Sequence, residues 1–397
     1  MTQAVLAPAR PGRMRVLGPI SAAHFVSHYY ILLLAPLLPF VRADYGVSYT
    51  EIGFALAAFN FVSAVLQTPA GFLVDRLGAR ALLTAGLIVG GAAFIAAGLL
   101  QSFWMLVGMF ALAGLGNTVY HPADYALLSQ HIPPQRIGQA FSVHTFAGML
   151  GSAAAPPTLL LMHDAWGWRS AFVVSGIAGI LVAGIVALMP DTSIAARAPK
   201  HTDAEKQTPD WHGLVSAPIL LNLFFFMLLA MITASIYNYS VVALGGLYGT
   251  PMGIANAGLT GFLLASSGGV LVGGLLVGRT SRHALVAGLG LAATAVFVAL
   301  VALVDLGSLG LVAALSLAGF FSGVIMPSRD MIVREVTPAG SFGKVFGFVT
   351  TGFNLGGIVA PLIFGPIMDH ASPRLVFVAV ALLCLMSIAT VASRPRR

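Results

Sequence analysis

The apolar residues of this chain gather into long runs, separated by short polar breaks. The runs fall at about 18–41, 51–74, 81–100, 103–128, 138–162, 169–189, 213–244, 256–277, 284–304, 309–328, 343–368 and 373–392. Each reaches the ~20 residues an α-helix needs to cross a hydrocarbon core of about 30 Å. Strict alternation of apolar and polar residues, the sign of a membrane barrel strand, is absent. Backbone facing lipid must satisfy its own hydrogen bonds, so the runs predict helices. The pattern therefore predicts an all-α integral membrane protein of twelve transmembrane helices. The first run follows a basic N-terminus but is longer than a signal-peptide core, and reads as an uncleaved first helix.

The longest polar stretch, 191–212, contains Pro199 and Pro209 and follows the sixth run. It reads as a cytoplasmic linker between an N-terminal six-helix bundle, residues 1–190, and a C-terminal one, residues 213–397. The two halves are related. Shifted by 205 positions, 113–157 aligns without a gap on 318–362, with Gly114/Gly319, Pro122/Pro327, Phe141/Phe346, Gly151/Gly356 and Pro156/Pro361 identical. Composition agrees: 58% of the 397 residues are hydrophobic and 8% charged, against about 25% charged in a soluble domain. The net charge of +7 would suit nucleic acid, but its distribution explains it otherwise. With the N-terminus inside, 17 of the 20 Lys and Arg fall in cytoplasmic segments and only Arg42, Arg169 and Arg374 in outer ones. This is the positive-inside asymmetry of a polytopic protein, with both termini cytoplasmic. A nucleic-acid partner is not expected. The single cysteine, Cys384, excludes an internal disulfide.

Between the second and third runs stands Gly71-Phe-Leu-Val-Asp75-Arg76-Leu-Gly78-Ala-Arg80. This resembles the signature loop of the major facilitator superfamily. The resemblance implies two parallel six-helix repeats, a central cavity, alternating access, and a bacterial plasma (inner) membrane location. It also implies that Gly71, Asp75, Arg76, Gly78 and Arg80 latch the halves in the outward-open state. The second copy of the loop keeps Arg279 but has Gly278 where Asp75 would stand, so the latch is expected on one side only. A narrower resemblance, to the fosmidomycin-resistance branch, is carried by His24-Phe-Val-Ser-His28, Val47-Ser-Tyr-Thr-Glu51-Ile-Gly53 and Gly116-Asn117-Thr-Val-Tyr120-His121-Pro122-Ala-Asp124-Tyr125. The chain departs from the drug/proton antiporter pattern. Phe110 replaces the arginine of span four, and the Gly-Pro motif of span five is loose, at Gly148, Gly151, Pro156 and Pro157. Both departures weigh against export by that antiporter route.

Ionisable groups inside a bilayer are costly, which makes each a candidate for function. His24 and His28 share a face of span one. Asn117, Tyr120, His121 and Asp124 recur along one stripe of span four, which Pro122 should kink, and His144 lies in span five. In the second half Tyr237 and Asn238 lie in span seven, and Arg329 ends span ten at the position paired with Asp124 by the repeat. These ten residues are the expected substrate and proton cavity. No nucleotide-binding loop, catalytic constellation or metal-ligand spacing is present in the sequence, so no enzyme activity, cofactor or metal is expected. The reading is a monomeric secondary transporter, coupled to protons, exporting a small drug-like or metabolite molecule. The alternatives are proton-coupled uptake of a small organic anion held by Arg329, and a non-transporting receptor on the same scaffold.

Overall fold

The computed structural model describes residues 13–133, 136–189, 216–337, 342–370 and 372–392. The linker at 191–212, the tips of the N- and C-termini and the side chains of Arg13, Met14, Asp75, Gln139, Phe342 and Lys344 lie outside the described residues. Within them the protein is helical throughout: α1 Arg13–Ile31, a 3₁₀ turn Ala35–Leu37, α2 Leu38–Tyr45, α3 Tyr49–Leu77, α4 Ala79–Leu99, α5 Phe103–Asn117, α6 Tyr120–His131, α7 Ile137–Ala187, α8 Ala217–Tyr248, α9 Met252–Val277, α10 His283–Leu303, α11 Gly307–Val336, α12 Phe342–His370 and α13 Arg374–Ala392. Among the described residues, eleven helical segments are long and apolar enough to cross a membrane.

Three differences from the sequence pattern have local causes. The first span is broken near Pro36 and Pro39, between α1 and α2, because proline cannot donate into the helix ladder. The fourth is broken at Thr118–Val119, between α5 and α6, where Pro122 leaves the Thr118 carbonyl without its i+4 donor. The fifth and sixth runs meet without an intervening loop in the segment labelled α7, which is two helices joined at a kink. Gly167 divides it, with φ 81° and ψ 162°, a conformation open to glycine. Arg329, expected at the end of a span, lies inside α11, which runs on to Val336.

The internal repeat is visible atom by atom. A Cβ at Gly114 would collide with the Phe59 carbonyl, and one at Gly319 with the Phe262 carbonyl, so in both places two backbones touch. Tyr45 and Tyr248 each donate to carbonyls at the end of a later helix, Leu100 at 3.0 Å and Val301 at 2.9 Å. Arg169 and Arg374 donate to Leu100 and Ala302, both at 2.7 Å, covering helix-terminal carbonyls that no amide reaches. Gly46 and Gly249 end their helices in the left-handed conformation, at φ 65° and 62°.

The contacts between halves run mainly α3 on α12 and α7 on α9, with smaller ones from the Ala35–Leu37 turn and α2 to α8. Helix α3 opens with a capping box. Ser48 Oγ accepts from Glu51 N at 3.1 Å, and Ser48 N donates to the Glu51 carboxylate at 2.7 Å. The remaining first-turn donors go to the other half. The Asp369 carboxylate of α12 accepts from Tyr49 N and Thr50 N, both at 2.8 Å, and from Thr50 Oγ1 at 2.6 Å. Below this clamp Gly53 meets Pro361, and Asn354 reaches Gln67 at 3.3 Å. Toward the other end of α3 the contact is lost. Phe72, Leu73 and Leu77 are exposed, and a Cβ at Gly71 or Gly347 would meet nothing within 4 Å. Gly71 therefore makes no close helix contact in this conformation. The halves are joined at the Asp369 end and parted at the Gly71 end.

Candidate functional site

Backbone proximity builds the site. Gly151 of α7 sits against the Phe25 carbonyl of α1. One turn earlier, a Cβ at Gly148 would stand 2.5 Å from His24 Cδ2 and 2.9 Å from His28 Cδ2. These two small residues let α1 press its histidine face onto α7, where His144 waits one further turn away. His24 and His144 stack, ring centres 3.8 Å apart. The break before α6 brings Asp124 between them: its Oδ2 is 3.4 Å from His24 Nδ1 and 3.6 Å from His144 Nε2. All three residues are buried, Asp124 at 0% exposure. Neither Asp124 oxygen has a hydrogen-bond partner among the described residues.

The other first-half candidates surround this core unequally. The His28 ring lies 4.5 Å from that of His24, and its Nδ1 is 3.3 Å from Ser152 Oγ. His121 is exposed, with its ring 5.3 Å from that of His24. Asn117 and Tyr120 do not join the cluster. Asn117 donates to Ser63 at 3.2 Å, and Tyr120 is buried against α4, donating to Gly86 at 3.1 Å. The single stripe expected of span four is thus divided, because the helix stops and restarts within it. A lone charge in such surroundings costs several kcal/mol. A single proton, on the Asp124 carboxyl to leave it neutral or on an adjacent imidazole to pair with it, would remove that cost.

The second half supplies a cavity of about 140 Å³ between α8, α10, α11 and α12. Tyr237, Thr233, Thr294, Ser322 and Arg329 line it with Phe353. Arg329 lies over the Phe226 and Phe353 rings at 4.8 and 5.0 Å and binds its neighbour Asp330 at 2.8 Å. It does not pair with Asp124 here, although the repeat matches the two: Asp330 binds Arg329, while His24 and His144 flank Asp124. Asn238 turns its amide nitrogen back onto the Ala234 carbonyl at 2.8 Å, and its buried oxygen has no partner among the described residues.

Of the latch residues, Arg76 is exposed, Gly78 takes φ 92°, and Arg80 donates to the Met189 carbonyl at 2.6 Å. The inter-half clamp at Asp369 was not anticipated from sequence. Half of its setting was legible, since Ser48 and Glu51 stand three apart in the capping-box pattern. The partner 320 residues away carries no local signal.

A chargeable pocket closed in by membrane-length helices is the construction of a solute carrier rather than of an enzyme. The Major Facilitator Superfamily model matches residues 20–283 and 223–397. The chain belongs to the major facilitator superfamily of membrane transporters. It is 25% identical over 382 residues to the fosmidomycin resistance protein of Escherichia coli (strain K12), covering 95% of this chain and 92% of that one. It is 26% identical over 382 residues to a probable sulfoacetate transporter of Cupriavidus necator, covering 90% and 88%. Among solved structures, a bacterial homologue of the human lysosomal transporter Spinster matches with a TM-score of 0.79 at 14% identity, over 97% of both chains. A nucleoside transporter matches at 0.79 and 11%, over 95% of this chain and 99% of that one.

Proposed function

We propose that this transporter is proton-coupled and exports a small drug-like or metabolite molecule from a bacterial cell. It works as a monomer in the inner membrane by alternating access between two six-helix bundles. Twelve crossings follow if α7 counts as two, parted at Gly167, and the positive-inside asymmetry then puts both termini and the Gly71 end in the cytoplasm. The described conformation is, on that orientation, closed outward and open inward. One observation carries the coupling: a fully buried carboxylate, Asp124, flanked by two buried imidazoles and without a hydrogen-bond partner among the described residues. The resemblance to the fosmidomycin resistance protein supports export.

A second reading, uptake of a small organic anion by proton symport, is favoured by Arg329 on the second-half cavity. The names of the sulfoacetate relative and of a D-galactonate transporter, 24% identical over 175 residues, point the same way. Vesicles separate the two. Ligands found by thermal stabilisation of the purified protein are offered to inside-out and right-side-out vesicles under a pH gradient. Accumulation in inside-out vesicles supports export, and accumulation in right-side-out ones supports uptake. Accumulation in neither, with ligands that bind, overturns the transport cycle proposed.

A further inference from the structure

We propose that His24, Asp124 and His144 form a binding site for one divalent transition-metal ion of the Zn²⁺ class. Five nitrogen and oxygen atoms of these residues are buried without a hydrogen-bond partner among the described residues: His24 Nδ1, both Asp124 oxygens and both His144 ring nitrogens. Folded proteins pair nearly all such atoms, so five on three residues in contact mark a place for water or for an ion. One ligand atom from each residue lies within 4.8 Å of the others. The two carboxylate-to-imidazole separations are 3.4 and 3.6 Å. Ligands at about 2.0–2.2 Å from a tetrahedral zinc are themselves about 3.4 Å apart, so two edges of that tetrahedron are already set. The stacked His24 and His144 rings, 23° from parallel, need only to open for their lone pairs to converge.

The donor set selects the metal. Two imidazoles and one carboxylate suit Zn²⁺ and its neighbours, whereas Mg²⁺ and Ca²⁺ prefer oxygen. A dication would also answer the lone buried carboxylate. Three protein ligands leave the fourth position to water or to His121, whose ring is 5.3 Å from that of His24. The spacing along the sequence conceals the site because its ligands come from α1, α6 and α7, packed by Gly148 and Gly151. All three helices belong to the first half, so an ion there does not tie the halves together. It occupies the atoms assigned above to the proton and competes with it, a consequence that rests on the proton-coupling reading, whereas binding itself does not.

The test uses the full chain, purified free of metal, titrated with Zn²⁺ and Mg²⁺ by calorimetry and with Co²⁺ by visible spectroscopy. One Zn²⁺ per chain, no Mg²⁺ binding and an intense tetrahedral Co²⁺ band are expected. His24→Gln, Asp124→Asn and His144→Gln should each weaken Zn²⁺ at least about tenfold, while His283→Gln and His370→Gln should not. Absence of Zn²⁺ binding, or binding that the three substitutions leave unchanged, overturns the proposal and shows the site to hold water or surface histidines to be the ligands. The Co²⁺ spectrum of the unsubstituted protein decides the case if a variant does not fold. Proton flux measured on metal-free protein remains an independent readout, so loss of the metal site and loss of proton coupling are told apart.

Discussion

Asp124 concentrates the electrostatic cost of the fold in one side chain. Its oxygens are buried, 3.4 and 3.6 Å from imidazole nitrogens and beyond ordinary hydrogen-bond length. A residue kept for stability would not be arranged this way, because a neutral isostere avoids the cost of a buried charge. Asp124→Asn should therefore unfold no more easily than the unsubstituted protein in metal-free buffer, and gain up to about 1–3 kcal/mol. The same substitution should abolish gradient-driven accumulation while leaving substrate exchange partly intact. A thermal denaturation curve and a paired accumulation and exchange assay measure both. A large loss of stability would make Asp124 structural. Gly148→Val should disturb the site without removing a titratable group, since its side chain would enter the space of His24 and His28. Accumulation should fall sharply while the pair Tyr120–Gly86, on the far side of α6, is untouched.

At the scale of helices, two carboxylates should act in opposite directions. Asp369 satisfies the first two amides of α3 from the other half, where a negative charge also favours the helix N-terminus. Asp369→Asn should cost about 1–2 kcal/mol of closure at that end. This is a shift of about five- to thirtyfold in the population ratio. A single cysteine at Asn60, with Cys384 replaced, should then label faster with an impermeant maleimide from outside. Asp75→Asn, argued from the signature motif alone, should slow that labelling by weakening the outward-open state. Equal labelling in all three proteins would contradict both assignments. The repeat makes a further prediction. Gly319→Ala drives a methyl into the Phe262 carbonyl and should destabilise by about 1–3 kcal/mol, whereas Gly108→Ala, with nothing within 4 Å, should not. Melting temperatures of the two variants check this. The helices themselves were readable from the apolar runs, but their interruptions were less so. Pro122 was expected to kink span four, yet a kink changes which residues share a face. Tyr120 and Asp124, on one stripe by spacing, ended against different neighbours.

Over the whole molecule, the fold was legible because lipid leaves the backbone few choices and because the chain repeats its own pattern. Gly114 and Gly319 align in sequence and make the same carbonyl contact in space. The site was legible only in its ingredients. His24, His28, Asp124 and His144 stood out as ionisable groups within apolar runs. That three of them converge depends on how α1, α6 and α7 pack, which no spacing within one helix encodes. Arg329 was matched with Asp124 by the repeat, but packing gave it Asp330 and two aromatic rings instead. Proton coupling through the Asp124 cluster remains the central claim. It is tested most directly in proteoliposomes containing the purified protein, a pH-sensitive dye inside and a pH gradient imposed. Adding a transported substrate should produce a linked proton flux with the unsubstituted protein and none with Asp124→Asn. Substrate movement without any proton flux in the unsubstituted protein would contradict it.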